Sequence, residues 1–210
     1  QYFDYQAEIN ISEYTVVGRG TSKCENSAIR IAFAEAYERL VVKEYSLKST
    51  NGCAAHTSRE SAKIGAVSEL KERDCFLFHH HFGFGKKFRK SAVKNNLLSL
   101  IGGRPVQFEN YSLKIFNDFF SISTLEFHKG VVIGLSLSPI LDSSIEKSFI
   151  EAYRQYIYFA TIPNDCKYTL NNFDKINTYN FNDHGNLLFD PEYISLFKKN
   201  FENQNDTDFY

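Results

Sequence analysis

The sequence predicts an α+β fold in which long helices pack on a mainly antiparallel β-sheet. Two observations carry this prediction. Long stretches follow the periodicity of a helix, and runs rich in β-branched and aromatic residues gather after Pro105. The helices are predicted at 25–45, 57–78, 91–101 and 143–160, and the strand-like runs lie at 106–108, 119–123 and 131–135.

Composition limits the classes of function. Lysine plus arginine number 24 and aspartate plus glutamate 25, so there is no basic excess for a nucleic-acid or anionic-membrane surface. No apolar run is long enough to cross a bilayer. The 210 residues predict one compact domain, 1–210, with a core at about 14–160 and an irregular tail rich in aromatic residues and asparagine at 161–210.

The ends and the cysteines suggest a cytoplasmic location. No signal peptide is visible after Gln1, and the absence of methionine indicates that the amino end is incomplete. The four cysteines form no C-x-x-C pair, so we expect reduced, mostly buried thiols rather than disulfides or a zinc site.

In the first half of the chain, a short β-prone run at 14–17 ends at Gly18-Arg19-Gly20. The helix at 25–45 follows, and a break rich in serine, asparagine and glycine ends it. Thr57 or Ser58 is expected to cap the second helix. The segment 79–85, which contains three consecutive histidines, is expected to be a loop or a frayed helix end.

An internal repeat lies on the first two helices. Residues 27–39 align without gaps to residues 61–73, and six of the thirteen positions are identical, including an E-x-x-E-R ending. A weaker third copy ends at 151–155. An array of helical hairpins with a period of 34 residues is the alternative interpretation.

The repeat brings carboxylates together. Glutamates three apart share a helix face, and small residues before each ending let two helices approach closely. If the helices pack side by side, Glu35, Glu38, Glu69 and Glu72 form one acidic cluster, which favours Mg²⁺ and a phosphate-bearing ligand. Arg39 and Arg73 would then buttress carboxylates or contact phosphate. Salt-bridged, solvated helix faces are the other interpretation.

The motifs resemble those of the YcaO-like family. Gly18-Arg19-Gly20 followed by the E-A-Y-E-R helix at 35–39 is similar to one family element. Asn51-Gly52-Cys53-Ala54-Ala55 running into the E-L-K-E-R-D sequence at 69–74 is similar to a second. The strand at 134–136 and the E-A-Y-R-Q sequence at 151–155 resemble a third, so the likeness covers about 14–160.

The resemblance implies ATP and Mg²⁺ as cofactors. It implies metal ligands at Glu35, Glu38, Glu69 and Glu72, and ATP-binding residues at Glu38, Arg39, Asn51, Glu72 and Arg73. The implied reaction adds a nucleophile to a peptide backbone carbonyl and transfers a phosphoryl group from ATP to the oxyanion. Loss of phosphate then leaves an azoline, thioamide or amidine. No catalytic residue is assigned.

The implied partners are a precursor peptide, as in the biosynthesis of ribosomal peptide products, and a protein that binds its leader. A homodimer is also compatible with the sequence.

The sequence departs from the family pattern. The segment between the first two acidic motifs is short, and Thr57 and Ser61 stand where the family often has a nucleotide-contacting asparagine and a metal-binding glutamate. Glu60 is one position away and would point about 100° from that direction on a helix. A catalytically inactive YcaO-like protein that binds nucleotide or peptide within a modification complex is therefore the alternative function.

Overall fold

A computed structural model describes residues 2–81, 88–92, 95–161 and 189–202. Contacts within the chain divide it into two compact units, Gln1–Arg73 and Asp74–Tyr210. Each unit is built from helices packed against antiparallel strands, so the predicted α+β class is confirmed. Among the described residues, none of the helices is both long and apolar enough to span a bilayer.

The first unit is a β-hairpin covered by a helix. Strand β1 (Phe3–Ile11) pairs antiparallel with β2 (Tyr14–Ser22), and helix α1 (Glu25–Glu44) packs on the hairpin. Along β1, exposed polar residues alternate with Tyr5, Ala7 and Ile9, which pack with Ala32 and Ala36 of α1. Helix α2 (Arg59–Cys75) follows, and no residue along it is fully buried.

Two glycines bring α1 unusually close to β2. A Cβ on Gly18 would lie 2.1 Å from the backbone nitrogen of Ala36, and one on Gly20 would lie 2.0 Å from the carbonyl oxygen of Ala28. The prediction that the strand ends at Gly18 is therefore wrong, because both glycines lie inside β2. They are needed there for the approach of the helix backbone.

The second unit contains a four-stranded antiparallel sheet in the order β3-β4-β5-β6. Helix α4 packs on one face of this sheet, while Phe88 and the last helix contribute to an apolar core on the other. Its elements are β3 (Arg89–Lys90), α3 (Asn95–Leu98), β4 (Gln107–Ile115), β5 (Asp118–Phe127), β6 (Gly130–Ser138), α4 (Leu141–Thr161) and α5 (Pro191–Glu202).

The face under α4 contains a buried polar group. Asn110 is 1% exposed, and its Nδ2 donates hydrogen bonds to the hydroxyls of Ser123 and Ser148 at 2.8 and 3.3 Å. Its Oδ1 accepts from Ser112 at 3.2 Å. Small hydroxyl side chains let α4 lie close to the sheet while every donor in this group finds an acceptor.

Three predicted segments differ from the structure. The helix expected at 91–101 is reduced to α3, which occupies only Asn95–Leu98, and β3 precedes it. The second helix continues past Cys75 as a π-helical turn, Phe76–His81, so the histidines end a helix as expected while 82–85 lie outside the described residues. The tail was expected to be irregular, but 191–202 form α5, and 162–188 and 203–210 lie outside the described residues.

The two units share one local architecture. The hairpin β1-β2 followed by α1 corresponds to β5-β6 followed by α4, because the paired residues Ala7 and Gly18 match Ser123 and Gly134, each 116 residues later. A Cβ on Gly134 would meet backbone atoms of α4 at 2.0 and 2.4 Å, as one on Gly18 would meet α1. The structural repeat therefore relates the first and third copies of the sequence motif.

Candidate functional site

The candidate site lies in the first unit, where α1, α2 and the segment between them meet. Ser58 caps α2, since its Oγ accepts the backbone N–H of Ser61 at 3.2 Å. Gly52 has a φ of 79°, a left-handed conformation that favours glycine. A Cβ there would meet the side chain of Leu70 at 3.1 Å, so Gly52 also lets this segment lie against α2.

This connecting segment lies against one glutamate from each helix. Glu38 of α1 accepts a hydrogen bond from the backbone N–H of Ala55 at 2.7 Å, and the backbone of Gly52 lies close enough to Glu69 of α2 to oppose the rise of its pKa. The N-G-C-A-A motif thus supplies a main-chain donor to the first acidic motif and lies against the second. The hypothesis that all four glutamates form one cluster stays a prediction, and this segment lies next to Glu38 and Glu69.

Burial and like charge perturb these carboxylates. Burial raises the pKa of Glu38, and the nearby charges of Glu69 and Glu35 raise it further against the opposing effect of the Ala55 hydrogen bond. Burial also raises the pKa of Glu69, against the opposing charge of Arg73. Three glutamates therefore interact through their charges, and a cation placed among them would relieve the repulsion.

Glu35 binds the neighbouring strand. Its Oε2 accepts the backbone N–H of Arg19 at 3.0 Å, and its Oε1 pairs with Arg39 at 2.6 Å. Arg39 also donates to the carbonyl oxygen of Val17 at 2.6 Å. In this conformation Glu35 and Arg39 connect α1 to β2, so a role for them toward metal or phosphate stays a prediction.

The remaining predicted residues lie on α2 or before it. Glu72, whose side chain is 17% exposed, forms a 3.9 Å ion pair with Arg73. The backbone N–H of Asn51 donates to the hydroxyl of Ser49 at 3.0 Å, and the residue is exposed. Ser61, at the position of the expected metal-binding glutamate, accepts a hydrogen bond from the capping hydroxyl of Ser58 at 2.9 Å.

The donors match Mg²⁺ in chemistry, since all four are carboxylates. In the part of the chain that the structure describes, no three or more His, Cys, Asp or Glu side chains are arranged to hold a metal ion by themselves. Mg²⁺ is usually bound by one or two carboxylates together with phosphate oxygens and water. The residues therefore fit a nucleotide-bound ion better than an all-protein cage.

Sequence reasoning missed the main-chain groups that contribute to the site. The backbone groups of Gly52 and Ala55 carry no side-chain signal, although their motif was recognised. Glu151, in the second unit, accepts the backbone N–H of Leu135 at 2.8 Å, as Glu35 accepts that of Arg19. The third copy of the sequence repeat was the signal for this residue.

Comparison with known proteins gives one family match and several similar folds. Residues 27–90, which contain most of α1, the connecting segment and α2, match the family described as YcaO cyclodehydratase, ATP- and Mg²⁺-binding. The fold is similar to that of YcaO from Methanopyrus kandleri bound with AMPPCP and Mg²⁺, with a TM-score of 0.59 and 14% sequence identity over 76% of this chain. Residues 27–90 therefore match the YcaO family in sequence, and the fold of the chain is similar to that of a YcaO protein.

The chain spans 63% of the length of the M. kandleri protein. Two structures of the E. coli microcin synthetase McbBCD complex, one with pro-MccB17 bound, are 17% identical and cover 80% and 81% of this chain, with TM-scores of 0.47 and 0.46. The chain spans 47% and 48% of those two proteins. None of the curated proteins matches the chain in sequence.

Proposed function

We propose that this chain binds ATP with Mg²⁺ at the junction of α1, the connecting segment and α2, and that it takes part in ATP-dependent activation of a peptide backbone amide. One observation carries the proposal. The backbone N–H of Ala55 holds Glu38, and Glu69 of the second acidic motif lies close enough to raise the pKa of Glu38, within the segment that matches the family.

Glu38 and Glu69, with Glu35 and Glu72, would supply carboxylate oxygens to Mg²⁺. Their partly buried, like-charged setting raises the pKa values of Glu38 and Glu69, so the unliganded site carries an electrostatic cost that a divalent cation offsets. Asn51, Arg39 and Arg73 are the proposed ATP contacts besides the glutamates. The bound nucleotide would supply the phosphoryl group that makes a carbonyl oxygen a leaving group.

The proposed substrate is a precursor peptide. A side-chain thiol or hydroxyl of the peptide, or an external sulfide or amine, adds to a backbone carbonyl carbon. The resulting oxyanion takes the terminal phosphoryl group of ATP and releases ADP, and loss of phosphate leaves the azoline, thioamide or amidine. A partner protein would present the leader of the peptide.

A non-catalytic nucleotide- or peptide-binding role within a modification complex is the second candidate. It is favoured by Ser61, which takes part in capping α2 where the family pattern has a metal-binding glutamate. Thr57, at the position of the expected asparagine, contacts His56 at 3.2 Å. Fewer ligands would weaken phosphoryl transfer more than they weaken binding.

Calorimetric titration of the protein with ATP and Mg²⁺ tests binding. We expect saturable, Mg²⁺-dependent binding that the double variant Glu35→Gln/Glu69→Gln loses. Glu60→Gln is the matched control, because Glu60 is an exposed glutamate in the first turn of α2. Wild-type protein that binds no nucleotide, or binds it as well after the double substitution, would refute the site.

Phosphate release separates the two candidate functions. A pool of peptides containing cysteine, serine and threonine is added with ATP, and phosphate and peptide mass are measured together. The catalytic function requires phosphate release that depends on peptide. If the product is an azoline, the peptide mass should also fall by one water. Tight nucleotide binding without either change supports the non-catalytic partner.

A further inference from the structure

The outer edge of β1 is the place where the two structural repeats differ. In the second unit, the corresponding strand β5 carries β4 on this edge, paired along its length from Gln107–Glu126 to Ile115–Asp118. In the first unit, β1 pairs with β2, and none of the described residues forms a strand on its other side. This edge of nine residues presents backbone donors and acceptors to an added strand.

The helix face next to this edge is exposed. Phe149 of α4 is fully buried, and its ring meets that of Phe108 on β4 at 4.9 Å in an edge-to-face arrangement. The corresponding residue of α1, 116 positions earlier, is Phe33, which is 57% exposed. Tyr37, one turn further along α1, is 55% exposed. The edge of β1 and this face of α1 together form a groove that a strand fills in the second unit.

The pairing of β1 with β2 sets the direction of the backbone groups in this groove. Gln6 lies opposite Arg19, whose N–H is turned away from β1 to Glu35. In an antiparallel pair, two directly opposed residues either both turn their backbone groups toward each other or both turn them away. The backbone groups of Gln6 therefore point to the open edge. The corresponding residue of β5, Ile122, lies opposite Tyr111 of β4.

We propose that this groove binds the precursor peptide as an added antiparallel strand. The proposal rests on the proposed function, which supplies the peptide substrate, and adds a binding site for that peptide in the first unit. A peptide that pairs with all nine residues of β1 would extend over about 30 Å. Main-chain hydrogen bonds hold such a peptide, and the groove selects its side chains at alternate positions.

The side chain at the centre of the bound strand, toward α1, should be small and apolar. In the second unit, Asn110 of β4 lies opposite Ser123 and is hydrogen bonded to it and to Ser148 of α4. The corresponding residues in the first unit are Ala7 and Ala32, which are buried and have no polar side-chain atom. An asparagine of the peptide would leave its amide without partners there, whereas an alanine would not.

An aromatic residue fits two positions before this centre. Phe108 of β4 lies opposite Leu125, and its ring contacts Phe149. Leu125 corresponds to Ile9 of β1. An aromatic side chain of the peptide opposite Ile9 would therefore lie against Phe33 and remove its ring from water.

The residue between these two should carry a positive charge. Glu8 lies on the exposed face of β1, where its carboxylate accepts a hydrogen bond from Gln6 at 2.7 Å. Glu8 corresponds to Thr124 of β5, and the residue opposite Thr124 on β4 is Glu109. A glutamate of the peptide at this position would face the carboxylate of Glu8, whereas a lysine or arginine would form a cross-strand ion pair. The groove thus favours a peptide with an aromatic, a basic and a small apolar residue in succession.

Fluorescence anisotropy with a labelled synthetic peptide tests the site. The probe has the sequence of residues 107–115 with Glu109→Lys and Asn110→Ala, and the comparison peptide has Asn110→Ala alone. We expect saturable binding of the probe without nucleotide, with a dissociation constant at least about threefold below that of the comparison peptide. A probe that does not bind would overturn the proposal.

A charge reversal in the protein tests the predicted register. Glu8→Lys should reverse the preference between the two peptides, because the comparison peptide then supplies the opposite charge. Glu13→Lys is the matched control, since Glu13 is an exposed glutamate in the β1–β2 turn, and it should leave the preference unchanged. A preference that follows neither substitution, or follows both alike, would contradict pairing with Glu8.

Two further variants locate the peptide in the groove. Gln6→Pro removes a donor from the open edge and leaves the hairpin hydrogen bonds intact, because the N–H of Gln6 points away from β2. Gln6→Pro and Phe33→Lys should each raise the dissociation constant of the probe at least about tenfold. Phe116→Lys is the control, because Phe116 is an 88% exposed phenylalanine in the β4–β5 turn. Unchanged binding to both test variants would place the peptide elsewhere and refute the groove.

The nucleotide titration keeps this test separate from that of the proposed function. Gln6→Pro and Glu8→Lys should bind ATP with Mg²⁺ as the wild-type protein does, since neither residue belongs to the candidate site. Wild-type protein that binds the probe but no nucleotide would refute the nucleotide site and support the groove. Wild-type protein that binds nucleotide but not the probe would do the reverse.

Hydrogen exchange shows whether the edge is open before the peptide binds. The amides of Gln6 and Glu8 should exchange rapidly in the free protein and become protected when the probe saturates it. Protection of both amides in the free protein would argue against the proposal, because another strand would then already occupy the edge.

Discussion

The close packing of α1 on β2 gives a prediction about stability whose magnitude follows from the geometry. In Gly18→Ala the new Cβ would lie 2.1 Å from the nitrogen of Ala36 and 2.2 Å from the carbonyl oxygen of Ala32. Both are backbone atoms, so no rotation of a side chain relieves the clash. Restoring an ordinary contact requires α1 to move by about 1.3 Å, which is the difference between 2.1 Å and about 3.4 Å.

That movement also breaks bonds between the helix and the strand. The 3.0 Å hydrogen bond from Arg19 to Glu35 and the 2.6 Å bond from Arg39 to Val17 would stretch beyond bonding distance. Overpacking costs about 1–3 kcal/mol, and each lost bond to a charged group costs about 1.5–3 kcal/mol, so we expect a loss of about 3–5 kcal/mol after relaxation.

Thermal unfolding followed by circular dichroism measures this loss. For a chain of this size about 3–5 kcal/mol corresponds to a fall in Tm of at least about 6 °C. Gly65→Ala is the matched control. Gly65 lies inside α2, where alanine favours the helix by about 1 kcal/mol, and the nearest atom to a new Cβ is the Cβ of Ala54 at 3.3 Å. A Tm of the Gly18→Ala protein within about 1 °C of the wild-type Tm would refute the close packing of α1 on β2.

Three further predictions concern other parts of the chain. Cys24 should be alkylated by iodoacetamide faster than Cys53, because hydrogen bonds from Ser27 lower the pKa of its exposed thiol; comparable labelling rates would contradict this. Asn110→Ala should lower the free energy of unfolding in urea by about 2–4 kcal/mol, since it leaves buried serines with fewer partners; a loss below about 1 kcal/mol would contradict it. Glu38→Gln should be more stable than wild type at neutral pH. Burial raises the folded-state pKa of Glu38, so wild-type stability falls as the pH rises from the ordinary glutamate pKa to the folded-state pKa. The difference in stability between the variant and wild type should therefore shrink when the pH is lowered through that range.

The sequence predicted the fold class because it rests on local pattern. Residues that are neighbours in the sequence determine the features it predicted, which are the periodicity of α1 and α2, the cap at Ser58 and the strand-like runs of the second unit. Strand β1 was missed although its alternation of polar residues with Tyr5, Ala7 and Ile9 is typical of a half-buried strand.

Other features depend on contacts between distant residues. Gly18 looked like the end of a strand, because a glycine inside a strand is informative only when the helix that approaches it is known. The repeat that relates α1 to α4 is carried by a few contact positions, such as Gly18 with Gly134 and Glu35 with Glu151. The strongest sequence repeat instead linked α1 to α2, which share charge pattern but not their packing.

The central claim is that ATP and Mg²⁺ bind where Gly52 and Ala55 lie against the two glutamates. The most direct measurement is a ¹H–¹⁵N spectrum of the protein during titration with AMPPCP and Mg²⁺. We predict that the amide signals of Gly52 and Ala55 shift with nucleotide only when Mg²⁺ is present. The amide of Glu192, bonded to the carboxylate of Asp190 at 2.8 Å in α5, should not move. Nucleotide binding that leaves the Gly52 and Ala55 signals in place would contradict the account.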